Sequence, residues 1–315
     1  MLRTIASYIE KNALLDKGDS VIAGLSGGAD SVCMVHILCR LGYRVIAAHC
    51  NFSLRGDESD RDEKFVEELC YKYSIELHTI RFKTTEYAAE HKLGIEEAAR
   101  ELRYQWFEKL RQQTGASAVC VAHHRDDSIE TSLLNLARGT GITGICGIRC
   151  RNGHVVRPLL CVSRTDIEEY MNEQELSYVT DSTNLETHYN RNKIRNIIIP
   201  EFQKIKPGFC DTMAANIENF TAVNSIYQDA INRAKERVLT KKENTLYVNL
   251  NKVTEFVEPA TLLYEILKNY GLHPREIPKL LTMERGKPVA TSTCRISIAR
   301  DRGSRLLVVE SISNQ

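Results

Sequence analysis

A short loop at residues 26–31, with the sequence SGGADS, combines two glycines, two hydroxyl groups and one carboxylate. Glycine accepts positive φ angles, so consecutive backbone N–H groups can point to one side and hold a phosphate. The helix that we predict to begin here adds partial positive charge at its N-terminus. A tight turn in which Asp30 or Ser31 only caps the helix is the alternative. Because the whole string lies between an apolar strand and an amphipathic helix, we favour phosphate binding, in a loop that is not a GxxxxGK(S/T) motif.

A second group of polar residues follows a predicted strand at 116–122. Asp127 and Glu130 stand three positions apart at the predicted start of a helix, so their carboxylates point the same way. His123 and His124 come just before them. This group could hold Mg²⁺ or steer a reacting group, whereas a capping box is the alternative for the two acids. We favour a functional site with Asp127 as the Mg²⁺ ligand.

Several arginines are candidates for contacts with anions. Arg100 and Arg103 are neighbours on a predicted helix, where they could neutralise charge developing on a phosphate. Pairing with Glu96 and Glu97 on a solvated helix face is the alternative, and these residues alone favour neither interpretation.

Positive charge also concentrates locally, although the net charge of the chain is only +1. Residues 138–165 include five arginines and no acid, and residues 188–206 include five basic residues against Glu201 alone. The planar guanidinium suits phosphate recognition, so Arg138, Arg191 and Arg195 are candidates for contacts with a polyanion. A solvated charged surface is the alternative.

These residues fall in a region where β-rich runs alternate with helical patterns. We predict strands at 20–25, 44–49, 76–81 and 116–122, and helices at 31–41, 58–73, 95–112 and 190–202, the last stopped by Pro200. This alternation predicts an α/β fold, a parallel sheet with helices on both faces. Ligands of such sheets bind beyond the carboxyl ends of the strands, where the loop and the His-Asp group lie.

The sequence KIKPGF, at residues 204–209, marks a predicted domain boundary. We therefore divide the chain into an α/β domain at 1–205 and a small α+β domain at 206–315. For the second we predict a helix to about residue 240, a strand at 245–250, helices at 255–270 and 274–283, and two strands near 287–309.

The composition excludes several classes of protein. The ten cysteines include no CxxC pair, and most lie in apolar stripes, so we expect reduced core residues. The longest apolar runs, such as residues 21–25, are too short to cross a bilayer. The first 15 residues lack the apolar core of a signal peptide, and we predict a cytoplasmic protein without a membrane partner.

The string SGGxDS is the signature of the N-type ATP pyrophosphatases, which this sequence resembles. Further motifs resemble one group of these enzymes, the tRNA(Ile)-lysidine synthetases. Residues 49–56 (HCNFSLRG) are similar to the HxNHxLR pattern of that group, with Phe52 in place of its second His. Residues 94–104 resemble its ExxAR..RY helix, and residues 122–141 its AHHxDDxxET…RGxG segment. The RPLL string at 157–160 and the segment from Tyr189 to Arg195 complete a series that spans about 21–200.

The resemblance implies an adenine nucleotide alpha hydrolase-like fold, the use of ATP and Mg²⁺, and two further substrates, L-lysine and tRNA(Ile) with a CAU anticodon. In the implied reaction, O2 of the wobble cytidine attacks the α-phosphate of ATP and pyrophosphate leaves. The lysine ε-amine then attacks C2, AMP departs and lysidine is formed. The small domain is implied to bind tRNA, and many members carry a further C-terminal domain, for which we expect no counterpart in these 315 residues.

The resemblance also implies roles for individual residues. ATP contacts are expected from Ser26, Gly27, Gly28, Ala29, Asp30, Ser31, His49 and Asn51. Catalysis is assigned to Asp30, Arg100, Asp127 and Glu130, and tRNA contacts to Arg138, Arg191 and Arg195. Two other functions stay open. A tRNA-thiolating enzyme of the same group commonly carries CxxC pairs, which this chain lacks, and a non-catalytic nucleotide-binding regulator needs no reactive residues such as Asp127 and Arg100.

Overall fold

The computed structural model describes residues 1–180, 190–284, 288–291, 293–301 and 303–311. The chain divides into two compact units, Met1–Thr221 and Ala222–Gln315. The predicted boundary at 205/206 precedes a long helix, Phe209–Val238, within which this division falls.

The first unit is built around a six-stranded sheet. Its strands are β1 (Ser20–Gly24), β2 (Arg44–Asn51), β3 (Glu76–Arg81), β4 (Ala118–Cys120), β5 (Arg151–Asn152) and β6 (Val155–Val156). Their order is β3-β2-β1-β4-β6-β5, and every pair is parallel except β5 with β6. The order reverses between β1 and β4, and ligands of open α/β sheets generally bind outside the carboxyl ends of the strands at such a point.

Helices connect and cover these strands. In chain order they are α1 (Leu2–Lys11), α2 (Ala29–Arg40), α3 (Asp57–Tyr73), α4 (Thr84–His91), α5 (Ile95–Thr114), α6 (Arg125–Arg138), α7 (Ile142–Ile145), α8 (Arg164–Glu173), α9 (Asn190–Lys193) and α10 (Ile199–Ile205). A 3-10 helix (Pro158–Cys161) precedes α8, and a π-helical segment (Ile194–Ile198) joins α9 to α10.

The side chains of β1 explain why helices cover both faces of the sheet. Val21 and Ala23 belong to a core shared with α1, α2 and α8, whereas Ile22 packs into a separate core with Phe107 and Leu110 of α5. Successive side chains of a strand point to opposite faces, so an unbroken apolar run requires helices on both sides.

The second unit contains a five-stranded antiparallel sheet of order β7-β8-β11-β10-β9. Its strands are β7 (Leu239–Lys242), β8 (Thr245–Asn249), β9 (Val289–Ala290), β10 (Cys294–Asp301) and β11 (Ser304–Ser311). The helix Phe209–Val238 is α11, and α12 (Leu250–Val253), α13 (Pro259–Leu267) and α14 (Ile277–Thr282) follow, with a 3-10 turn (Pro274–Glu276) before α14. Residues of α11, α13 and α14 form one apolar core with alternate residues of the sheet.

The prediction that Pro200 stops a helix was wrong. Pro200 lies in the first turn of α10, directly after the π-helical segment, and the helical path continues to Ile205. Proline is tolerated in a first turn because an N–H there needs no helical acceptor. The predicted strand at 116–122 is also shorter than expected, and α4 and α8 lie in segments for which we predicted no element.

None of the helices among the described residues is long and apolar enough to span a membrane.

Candidate active site

The SGGADS loop connects β1 to α2 at the carboxyl edge of the sheet. The Ser31 hydroxyl donates to Gly28 O (2.9 Å) and accepts from the Ser26 N–H (3.2 Å), which closes the loop on itself. Gly27 has a φ of +92°, and its carbonyl accepts a hydrogen bond from the N–H of Val179 (3.0 Å). The first N–H groups of α2 have no acceptor within the helix. The loop therefore offers backbone donors at a helix N-terminus, as phosphate binding requires.

Asp30 lies in the first turn of α2 and is held by two neighbours. Its Oδ1 accepts from Arg164 Nη1 at 2.6 Å, and its Oδ2 lies 3.9 Å from His124 Nε2. Burial raises the pKa of Asp30 above its ordinary value, and His124 and Arg164 oppose that rise only in part. Arg164 also donates its backbone N–H to Asp126 Oδ2 (2.8 Å), so it ties the loop to the start of α6.

The two histidines after β4 have different environments. Arg157 Nε donates to His123 Nδ1 at 3.2 Å, and Arg157 is almost completely buried. Burial, the largest effect, lowers the pKa of His123 to about 4. His124 is buried, and its Nε2 lies 3.6 Å from Asp127 Oδ2 in addition to its contact with Asp30. His124 thus stands between two of the predicted catalytic carboxylates.

Asp127 and Glu130, in the first turns of α6, are paired with two arginines. Glu130 is 1% exposed and accepts from Arg191 Nε (2.7 Å) and Arg195 Nε (2.6 Å). Asp127 Oδ1 accepts from Arg191 Nη2 (2.9 Å) and from Arg195 Nη2 (3.4 Å). Burial raises the pKa of Asp127, but His124 and Arg191 outweigh it and lower the pKa below its ordinary value. Two arginines predicted to contact RNA therefore lie on two acids predicted to act in catalysis.

The other predicted site residues have different neighbours, although Arg100 lies close enough to His123 to lower its pKa. His49 is buried with Nδ1 2.8 Å from Leu25 O, next to the loop. Asn51 is buried and donates to Glu63 Oε2 (2.7 Å), which organises the start of α3. Arg100 is exposed, with its guanidinium 4.9 Å from the centre of the Tyr104 ring. Arg138 is exposed at the end of α6. Tyr189, which we quoted in the last motif, lies outside the described residues.

The carboxylate oxygens that a Mg²⁺ ion would need are already engaged at Asp127. Both oxygens of Asp127 accept from protein donors, because Oδ2 takes the backbone N–H of His124 (3.0 Å). Within the described ranges, no three His, Cys, Asp or Glu side chains are grouped so that they could hold a metal ion. Mg²⁺ usually keeps several waters and takes one or two carboxylates plus substrate phosphates. Asp30 Oδ1 likewise accepts from Arg164 Nη1 (2.6 Å), so the assignment of Asp127 as the Mg²⁺ ligand stays a prediction.

Two residues of this site were not predicted from the sequence. Arg164 appeared only as one member of the arginine-rich stretch, and Arg157 only as part of the RPLL string. Both residues follow β6, a strand of the same parallel sheet whose carboxyl end faces the same edge. Because β6 has only two residues, the sequence carried no clear signal for this position.

Comparisons with known proteins define the class of the first unit. A family model described as a PP-loop domain matches residues 1–202, and one described as a TilS substrate binding domain matches residues 241–307. The U34-tRNA thiolase NcsA from Methanococcus maripaludis has a similar structure, with a TM-score of 0.58 and 18% identity over 69% of this chain and 77% of that chain. At that identity the likeness concerns the fold alone. The predicted α/β fold with a separate C-terminal domain is confirmed.

Curated relatives specify the family. The chain is 47% identical over 304 residues to a tRNA(Ile)-lysidine synthase from Parabacteroides distasonis, covering 96% of this chain and 69% of the relative. It is 45% identical over 284 residues to the synthase of the same name from Bacteroides thetaiotaomicron, covering 90% and 66%. The chain belongs to the tRNA(Ile)-lysidine synthase family, as the motifs predicted. It spans about two thirds of the length of these relatives.

Proposed function

We propose that this protein ligates L-lysine to the wobble cytidine of tRNA(Ile) with a CAU anticodon, at the expense of ATP. Membership of the tRNA(Ile)-lysidine synthase family supports this function, and so does the match of residues 241–307 to a substrate binding domain. We further propose that the protein acts in the cytoplasm and that residues 206–315 contribute to tRNA binding.

The proposed reaction has two steps. O2 of the cytidine attacks the α-phosphate of ATP, pyrophosphate leaves, and the base is adenylated. The ε-amine of lysine then attacks C2 of the base, and AMP departs. Charge develops on phosphate oxygens in the first step, so donors and cations fixed near the loop would lower its barrier.

The pair of buried carboxylates beside the loop is the observation that carries this proposal. Asp127 and Glu130 hold two guanidinium groups through hydrogen bonds of 2.6–3.4 Å. A site that binds two cations this closely also suits the ammonium group of lysine, since a carboxylate accepts from either. A nucleotide sensor needs no such pair, and a sulfur-transfer enzyme of this group commonly carries CxxC pairs, which this chain lacks. We propose that Asp127 and Glu130 orient the lysine and that Arg191 and Arg195 move toward RNA phosphates when tRNA binds.

The remaining predicted roles complete the proposal. The loop residues 26–31 would hold the phosphates of ATP, with Asp30 facing a Mg²⁺ ion that accompanies the nucleotide. His49 would hold the backbone of Leu25, the residue before the loop, and Asn51 would hold α3 in place through its hydrogen bond to Glu63. Arg100 and Arg138 are exposed and would contact the transferred phosphate and the RNA backbone, respectively.

Mass spectrometry of tRNA nucleosides tests this function. The protein is incubated with labelled ATP, one candidate amino acid at a time, and either tRNA(Ile) with a CAU anticodon or the same tRNA with its wobble cytidine changed to uridine. We expect AMP and lysidine only with lysine and the CAU tRNA. The Glu130→Gln variant should need a higher lysine concentration, whereas Glu201→Gln, at an exposed ion pair, should behave like the parent protein. Incorporation of sulfur, or AMP released at the same rate without tRNA, would overturn the proposal.

A further inference from the structure

Arg157 is a buried cation that is 5% exposed. Among the described residues, its hydrogen-bond partners are an imidazole and a backbone carbonyl rather than a carboxylate. Its donors go to His123 Nδ1 (Nε, 3.2 Å) and to the backbone carbonyl of Arg149 (Nη1, 2.8 Å). Burying a charge is unfavourable unless the charge is paired. A guanidinium kept in this place therefore indicates a requirement beyond stability.

The contact with Arg157 determines where the proton of His123 lies. A guanidinium only donates hydrogen bonds and keeps its protons in proteins, so His123 Nδ1 must accept. A neutral imidazole with an accepting Nδ1 carries its proton on Nε2. His123 Nε2 is therefore a donor, and the lone pair on Nδ1 is already used by Arg157.

The surroundings of His123 favour this neutral form. Three cations (Arg157, Arg191 and Arg100) and one carboxylate (Asp127) act on its ring, and burial adds to the effect of the cations. Together these influences lower the pKa of His123 to about 4. Burial and these cations thus favour the neutral ring at neutral pH, and the surplus of positive charge suits an anionic ligand.

We propose that Arg157 is a positioning residue that fixes His123 as the Nε2–H tautomer, and that His123 donates this hydrogen bond to a phosphate oxygen of the nucleotide. The proton stays on Nε2 throughout, so His123 is not a general base. Arg157 acts through the imidazole and does not touch the ligand. The second part of this inference rests on the proposed use of ATP, whereas the tautomer of His123 does not.

Nitrogen NMR of the histidine side chains tests the tautomer without any assay of activity. The spectrum of the protein labelled with ¹⁵N at its nine histidines is recorded from pH 6 to pH 8, and His123 is assigned by its loss in His123→Gln. We expect the pattern of an Nε2–H tautomer that does not change over this range. Arg157→Gln should keep the pattern because an amide N–H can still donate to Nδ1. Arg157→Met removes the donor and should give a mixture of tautomers. An Nδ1–H pattern or an imidazolium at pH 7 in the parent protein would refute the inference, whichever variants fold.

Two substitutions of His123 separate a hydrogen-bond donor from a base. The amide nitrogen of Gln can stand near the position of Nε2 and donate, but it cannot take a proton. We expect His123→Gln to keep pyrophosphate release within about 10-fold of the parent, and His123→Ala to lose about 10²–10³-fold, as for one lost donor to a developing anion. ATP affinity, measured alone, should follow the same order. If His123→Gln loses as much pyrophosphate release and as much ATP affinity as His123→Ala, His123 does not act as a hydrogen-bond donor. If ATP binds in this order but no lysidine forms, the function fails and the inference about His123 stands.

Discussion

Gly27 combines a positive φ angle with a lack of space for any side chain. A methyl group on its Cα would lie 2.8 Å from Val179 Cγ2 and 3.4 Å from Phe65 Cδ1. A left-handed backbone costs an L-residue about 1–2 kcal/mol, and forcing an extra methyl group into a packed site costs about 1–3 kcal/mol. We therefore expect Gly27→Ala to lower the free energy of unfolding of the first unit by about 2–5 kcal/mol, and its Tm by about 5–15 °C.

Gly28 provides the matched control. Its φ is −72°, and a methyl group there would meet Ser26 Oγ at 3.6 Å, an ordinary contact. We expect Gly28→Ala to lower the free energy of unfolding by about 1 kcal/mol, because Gly28 is the N-cap of α2 and Ala is a poorer N-cap residue, with no steric cost in addition. The double variant Gly27→Ala/Val179→Ala should recover the steric part of the loss and keep the backbone part.

Urea unfolding monitored by fluorescence measures these changes selectively. The chain has one tryptophan, Trp106, and it lies on α5 in the first unit, so its emission reports the unit that contains the loop. A shift of the urea midpoint without a change in slope identifies a change in stability. The reasoning is refuted if Gly27→Ala and Gly28→Ala have the same midpoint, or if the Val179 substitution gives no recovery in the double variant.

Three further outcomes are expected. Asp30→Asn should lower the rate of pyrophosphate release about 10²–10³-fold. Its Tm should be unchanged or higher, because burial raises the pKa of Asp30 and so makes the ionised form unfavourable in the fold; a large loss of Tm with normal turnover would contradict this. Glu130→Gln should destabilise the protein by about 2 kcal/mol. Breaking a fully buried ion pair costs about 3–5 kcal/mol, and the smaller value is expected here because the arginine partners of Glu130 are partly exposed to water. Glu201→Gln should cost under about 1 kcal/mol, and equal effects in calorimetry would refute this difference. Finally, the pKa of Asp127 is lower in the folded protein than its ordinary value. The ionised carboxylate therefore stabilises the fold fully above the pKa of the unfolded state, and this stabilisation is lost as the pH falls through the pKa of the folded state. Asp127→Asn should therefore flatten the loss of stability below about pH 4, and parallel acid-unfolding curves would contradict it.

The sequence predicted β1 to β4 of the parallel sheet because each of these four strands had a strong local signal. Strand β3 runs from Glu76 to Arg81, as predicted, and β1 and β2 differ from their predicted ranges only at the carboxyl end. An apolar run followed by a loop and an amphipathic helix leaves few other arrangements. The motifs also predicted the family, which the curated relatives confirm.

Other elements were missed for physical reasons that can be named. Helix α8 begins with a reciprocal cap, in which Ser163 Oγ accepts from the N–H of Asp166 (3.0 Å) and Asp166 Oδ2 accepts from the N–H of Ser163 (2.7 Å). The Ser-x-x-Asp spacing was visible in the sequence but was not used. Strands β5 and β6 have two residues each, too few for any alternation to appear.

The ion pairs of the candidate site could not be predicted from the sequence, because they join residues that only the fold brings together. Glu130 and Arg191 are 61 positions apart, so no local spacing relates them. From the sequence we predicted that Arg191 and Arg195 contact RNA and that Asp127 and Glu130 act in catalysis. The contact between these arginines and acids results from the packing of α6 against α9 and the π-helical segment. Asn51 likewise followed a predicted strand, but its amide turns toward α3 because buried polar groups must find partners.

The order of strands has a consequence for the synthesis of this chain. Strand β1 is among the first elements made, yet its partner β4 comes much later, since Ser20 and the hydrogen-bonded Ser117 are 97 positions apart. A ribosome that adds about 5–20 residues per second leaves one edge of β1 open for roughly 5–20 s. Val21, Ile22 and Ala23 are apolar, and an uncovered strand of this kind is a template for pairing with another nascent chain. Chains that stall before residue 118 are therefore the species in which we expect aggregation, and a chaperone that binds short apolar segments would act on them first.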